Sequence, residues 1–240
     1  MDTATTTTET TETATLHGGG MPLLRLLQLA SAALPIGAFA YSQGLEQAIA
    51  MGWVKDESSA RDWILGLLGH GVGTLDLPVL VRLVRAFSDD DAGAACAWND
   101  FLFACRGSAE LQAEERHLGG ALAKVLANAG ALRGSAWSRE PGPTYVAMFA
   151  LGAARWNIPT AAAATGYAFA WTEAQVGAAT RLCPLGQQAA QRILSAALPV
   201  IEHAVDSALR LADDDIGAST PAQAVASALH ETLYCRLCRS

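Results

Sequence analysis

Several things are missing from this chain, and each absence removes a class of function. Positive charge is scarce: 16 Lys and Arg stand against 23 Asp and Glu, a formal charge of −7. Neutralising phosphates needs a basic surface, so a general nucleic-acid binder is excluded. The first fifteen residues mix threonine with glutamate and lack both a cationic start and an apolar segment, so no secretory leader is expected. No stretch reads as long and apolar enough to span a bilayer; Tyr145 to Trp171 comes nearest and is broken by Arg155, Asn157 and Pro159. The five cysteines, Cys96, Cys105, Cys183, Cys235 and Cys238, are odd in number and irregularly spaced. That suits a reducing compartment better than a disulfide framework. Alternating runs of β-branched residues bounded by turns are absent, which argues against strands. There is no G-x4-G-K-[ST], and Gly66, Gly69, Gly71 and Gly73 have no nearby lysine, so no nucleotide site is recognisable. A soluble, cytoplasmic protein that binds neither membrane nor nucleic acid is the expectation.

What is present is helical. Half of the 240 residues are apolar, enough for one sizeable core. Leu111, Glu115, Leu118, Leu122, Val125 and Ala129 step by fours and threes, as do Ala190, Leu194, Ala197, Ile201, Val205, Leu209 and Ala212. Glu115 puts a carboxylate in the apolar phase, read as a helix that has not yet entered the core. Asp56, the cluster Ser88 to Asp91, and Thr220-Pro221-Ala222-Gln223 read as helix starts, the last as a capping box. Pro199 lies inside a helical pattern and should kink it. The fold class is therefore all-α: a single-domain bundle of roughly eight to ten helices. Residues 1–20 form a disordered Thr-rich tail, 21–228 the body, and 229–240 a docking tail.

Leu34 to Glu46, "LPIGAFAYSQGLE", poses the chemical question. Ala40 to Gly44 is close to the G-x-S-x-G elbow that presents a catalytic serine, and His17 to Gly20 resembles an oxyanion loop. A serine hydrolase using Ser42 would need several strands and helices between the two. About twenty residues cannot hold them, since one crossover unit takes about thirty. Ser42 reads more simply as the N-cap of a helix over Gln43 to Met51. His230, Cys235 and Cys238 offer H-x4-C-x2-C, so a direct nickel or zinc carrier is an alternative, although three ligands leave such a site incomplete. What remains is surface. Phe39 and Tyr41 between glycines would be low-entropy anchors for a partner, or rings tucked under the helices they join. Leu229, Leu233 and Leu237 recur every four residues beside Tyr234, Arg236 and Arg239. That tail would dock into a partner's groove, or fold back on its own body.

Taken in order, "LPIGAFAYSQGLE", "RLCPLGQQAAQRIL" and "HETLYCRLCRS" resemble the UreF family of urease accessory proteins, from about Leu23 to Ser240. The resemblance implies an all-α protein without catalysis of its own and without a cofactor. It further implies a homodimer bridging a UreD-like (UreH-like) accessory protein and the GTPase UreG, so that nickel reaches apo-urease, with possible regulation of GTP hydrolysis. Carried over by motif, Gly37, Phe39, Tyr41, Ser42, Gly44 and Glu46 would serve the dimer and GTPase-recruiting surface. His230, Glu231, Tyr234, Arg236, Arg239 and Ser240 would form the tail ordered on the UreD-like partner. Arg181, Pro184, Leu185, Gly186 and Gln187 would form a turn holding two helices together. Cys235 and Cys238 stand where the family has non-ligands, so the resemblance lends no support to a metal site there.

Overall fold

The computed structural model describes residues 16–132, 141–217 and 220–239, with side chains from Gly20 onward. Ten α-helices follow one another among them: α1 (Leu16–Leu29), α2 (Leu45–Ala50), α3 (Glu57–Leu67), α4 (Leu77–Ser88), α5 (Ala92–Ala104), α6 (Ala109–Asn128), α7 (Tyr145–Arg155), α8 (Thr160–Leu182), α9 (Gln187–Arg210) and α10 (Pro221–His230). No strand occurs among the described residues. The all-α reading holds. Helix α1 already starts at Leu16, so residues 16–20, assigned above to the tail, are helical. Residues 1–15 lie outside the described residues.

Local chemistry accounts for most helix starts. The Asp56 carboxylate accepts from the Ser59 amide at 2.9 Å, and the Ser59 hydroxyl accepts from the Asp56 amide at 3.1 Å. This reciprocal box opens α3. Asp91, Ser108 and Thr144 open α5, α6 and α7 by accepting from the third helical amide. Thr220 departs from its expected box. Its hydroxyl donates to the Gln223 side chain at 3.0 Å, while Pro221 takes the first helical position. Pro199 is accommodated inside α9, which runs unbroken past it.

Between α3 and α4 the glycine-rich Leu68–Asp76 widens into a π-helical segment, giving one continuous run from Glu57 to Ser88. By length and composition this run could cross a bilayer, contrary to the expectation above. The physical reason it need not do so is packing: 61% of its apolar window is buried inside the molecule, as in a core helix. At its centre, α4 packs on α7, whose residues Val146 to Ala153 are all buried, and α7 packs on α6. Small residues permit the close approaches. A Cβ on Gly119 would come within 2.0 Å of the Pro143 carbonyl oxygen, so α6 and the start of α7 meet backbone to backbone.

Glu115 is not a surface residue at the edge of the core. It is buried, and its Oε1 accepts from Arg106 Nε at 2.9 Å while its Oε2 accepts from the Tyr145 amide at 2.8 Å. Arg106 also donates to both carboxylate oxygens of Asp76 at the end of the π-helical segment, and Tyr167 donates to Asp76 at 3.1 Å. The apolar phase of Glu115 reflects this ionic cluster, because a buried carboxylate is tolerated where a cation and an amide replace its water.

Candidate functional site

Gly37, at φ 78°, starts a 3-10 turn over Ala38–Ala40 that pushes Phe39 outward to 70% exposure. The backbone turns extended at Tyr41, and the two rings part. Tyr41 is only 4% exposed, its hydroxyl 3.0 Å from His117 Nδ1 on α6. Of the two arrangements open to Tyr41, an exposed anchor or a tucked ring, the second is found: it is a core ring with its polar tip satisfied. Ser42 is fully buried and its Oγ accepts from the Glu46 amide at 3.3 Å. The helix it was expected to cap begins later, at Leu45, behind Gly44 at φ 86°. A 3-10 turn rather than a strand precedes Ser42, and its hydroxyl is sealed from solvent, so the nucleophile elbow is absent.

Glu46 is the hub. Only 8% exposed, it accepts from the Leu237 amide at 2.7 Å, the Cys238 amide at 2.8 Å and His230 Nε2 at 3.1 Å. Burial alone would raise its pKa. The two backbone amides and His230 outweigh that and hold the carboxyl below its ordinary value. His230 itself is fully buried, with Nδ1 2.8 Å from Glu110 Oε2. Both of its contacts are satisfied as donations when both ring nitrogens carry protons. Arg236 reaches the other oxygen of Glu110 at 2.9 Å. Gly44 lets α10 close over α2: a Cβ there would lie 3.1 Å from the Ser227 amide nitrogen.

The tail is thus seated on its own body, the second of the two arrangements the sequence allowed. The Arg239 amide donates to the Ala40 carbonyl at 2.8 Å. Cys238 is buried with Arg181 and Ser42 in hydrogen-bonding reach of its thiol, and Arg181 also donates to the Phe39 carbonyl. The three sequence stretches, far apart in the chain, meet at one place. The segments that meet there expose large apolar side chains, Phe39, Leu229 (42% exposed), Leu237 (77%) and the fully exposed Tyr234, with Arg236 and Arg239 exposed among them. Glu231 is exposed at the end of α10, and Ser240 lies outside the described residues. The turn Cys183–Gly186 joins α8 to α9, which pack on each other as expected.

The suggested metal trio does not converge. The His230 nitrogens face two carboxylates, Cys235 is exposed, and Cys238 is turned to Arg181 and Ser42. Among the described residues no group of three or more His, Cys, Asp or Glu is placed to hold a metal ion. Behind the junction lies a polar cavity of about 260 Å³, lined by Gln43, Asp76, Arg106, Glu114 and Gln223 among others. Gln43 joins its walls, donating to Glu114 at 2.8 Å and accepting from Trp171 at 2.9 Å. Sequence reasoning missed Glu110 and Arg106, and it missed the pairing of His117 with Tyr41. Glu115 in the apolar phase was the one signal that a buried cation was needed.

Comparison with known proteins finds relatives over most of the chain. The UreF family model matches residues 54–198. A urease accessory protein UreF of Alkalilimnicola ehrlichii is 43% identical over 92% of this chain and 97% of its own length. That of Marinobacter nauticus is 44% identical over 96% and 99%, and that of Chromohalobacter salexigens 46% identical over 92% and 95%.

Proposed function

The chain belongs to the UreF family of urease accessory proteins, which gives it a part in urease maturation, and we propose that this part is that of a non-catalytic adaptor. It binds a UreD-like (UreH-like) protein and a UreG-like GTPase, acts as a homodimer, and positions both partners for delivery of nickel to apo-urease. Nickel is cargo of the assembly in this reading and not a resident cofactor of the chain. Holding two partners on one rigid body raises their effective concentration, and favouring one nucleotide state of the GTPase would regulate GTP hydrolysis by differential affinity.

One observation carries this reading. Three separate sequence stretches are joined by the buried Glu46 carboxylate, by Arg181 and by backbone bonds, and the joined segments leave the large apolar side chains Phe39, Tyr234 and Leu237 in water. A fold that invests buried polar contacts in presenting large apolar groups outward has the form of a docking face.

Removing residues 229–240 would be a poor test, because it would leave Glu46 and Glu110 without His230. The paired substitution Tyr234→Ala with Leu237→Ala touches only exposed groups. Co-expressed with UreD-like and UreG-like proteins and sized by chromatography with mass measurement, the parent chain should form a ternary complex. The double variant should lose the UreD-like partner at unchanged far-UV helicity. Full retention of both partners would refute a docking role for this face.

A further inference from the structure

Two cysteines in the tail differ sharply in burial, and the proposed function uses neither. Cys235 and Cys238 are three residues apart in "YCRLC". Cys235 is exposed. Cys238 is only 7% exposed and sits in the seat formed by Glu46, Arg181 and Ser42. Burial, followed by the nearby Glu46 charge, pushes the Cys238 thiol up against the opposing pull of Arg181. While seated it stays protonated and shielded, a poor nucleophile.

We propose that Cys235 and Cys238 are a disulfide-forming pair, and that closing the bridge requires the tail to leave its seat. A disulfide demands that both β-carbons converge to within about 4.5 Å, with the sulfurs about 2 Å apart. Cys238 is buried against Arg181 and Ser42 while Cys235 is exposed, so bonding the two draws the Cys238 sulfur away from those partners. Turning it outward displaces the Cys238 and Leu237 amides from Glu46 and the Arg239 amide from Ala40.

The oxidant is a small-molecule disulfide of the glutathione class. The Cys235 thiolate attacks one of its sulfurs, the small disulfide breaks, and one thiol leaves, so that a mixed disulfide forms on Cys235. As the tail unseats, the Cys238 thiolate attacks the Cys235 sulfur and expels the second thiol. Two protein thiols are oxidised to one bridge, one small disulfide is reduced to two thiols, and the two protons pass to them. Seating and bridging are therefore coupled. Whatever stabilises the seated tail makes the bridge easier to reduce, and whatever loosens the tail makes it harder.

The test uses the full chain alone in glutathione buffers of varied ratio, so it is independent of any partner. Trypsin cuts after Arg236, between the two cysteines, and a bridged tail gives two peptides joined until reductant is added. Expected is this joined product at oxidising ratios. Hydrogen exchange of the Leu237, Cys238 and Arg239 amides should be about tenfold or more faster than in the reduced protein, with helicity unchanged. Cys235→Ser should show neither change. Glu46→Gln, which weakens the seat, should form the bridge at a glutathione ratio about tenfold more reducing. A bridged protein with undiminished amide protection would overturn the proposal. So would oxidation that stops at a glutathione adduct on Cys235, or a bridging midpoint that Glu46→Gln leaves in place.

Discussion

Two clusters of buried carboxylates in this molecule look alike by burial and differ in what holds them. In the core, Asp76 and Glu115 are 5% and 8% exposed and share Arg106. Where the tail meets the body, the side chains of Glu46 and Glu110 are 9% and 11% exposed and share His230. The core carboxylates are answered mainly by a guanidinium on the α5–α6 connection, bounded by four helical segments, and by the Tyr145 amide and the Tyr167 hydroxyl. Glu46 is answered largely by backbone amides of the chain end. Arg106 is tied to carboxylates on two packed helical segments and cannot leave without freeing both, whereas the single stretch 237–239 can move its amides into water as a unit. Equal burial therefore serves global stability in one place and a separable local dock in the other.

Replacing Arg106 with Met should have the largest effect. Two buried carboxylates would lose their shared cation, and breaking such an arrangement costs about 3–5 kcal/mol. Urea denaturation should show this as a lower midpoint at unchanged slope. A loss below about 1 kcal/mol would mean that the core cluster is no more essential than the dock. Glu46→Gln comes next. The amide group presents donors where an anion accepted, and hydrogen bonds to charged groups are worth about 1.5–3 kcal/mol. That loss should appear as faster hydrogen exchange confined to residues 237–239, with the global denaturation midpoint little moved. Global unfolding instead would erase the distinction between the two regions.

Acid should separate them further. The folded Glu46 carboxyl lies below its ordinary 4.5, so its contribution is fully present above that value and is lost as pH falls through the lowered one. Glu115 runs the other way. Burial, and then Asp76, raise its carboxyl against the pull of Arg106, so the folded state holds that proton more tightly than the unfolded chain. Its contribution declines as pH rises from 4.5 through the raised value. Acidification below 4.5 should therefore free the tail amides before it weakens the core around Glu115. Exchange rates at residues 237–239 and around Tyr145, followed against pH, measure both. Simultaneous loss of protection would contradict the assigned directions.

How much of this was legible beforehand follows from the range of each interaction. The caps at Asp56 and Asp91 act over three residues, and the periodicities of α6 and α9 over a few turns, so both could be read along the chain. The dock could not. Its bonds join Ala40 to Arg239 and Glu46 to Leu237 across nearly the whole sequence. The three stretches could be noticed one by one, but no local pattern says that they touch. Which of its two arrangements Tyr41 takes was hidden for the same reason: its partner His117 lies 76 residues away. Glu115 did announce itself as a charge in the wrong phase. Its cation, Arg106, stands only nine residues upstream, but Asp76, on the π-helical segment, carried no comparable signal.

Phe39 offers the smallest effect on the fold and the sharpest test of the proposed docking face. The ring is 70% exposed, and truncating such a surface group normally changes stability by no more than about 0.5 kcal/mol. Its backbone is held independently of the ring, through the Arg181 bond to the Phe39 carbonyl and the Arg239 bond to Ala40. Phe39→Ala should consequently leave both the core cluster and the seated tail as they are. A central aromatic anchor is worth about 2 kcal/mol or more in a protein interface, which corresponds to a roughly 30-fold weaker Kd. Titration calorimetry against UreD-like and UreG-like proteins, together with the self-association constant, would show which contact the ring serves. If all three affinities stay within about twofold of the parent, the exposed ring is incidental, and the face is defined by the tail alone.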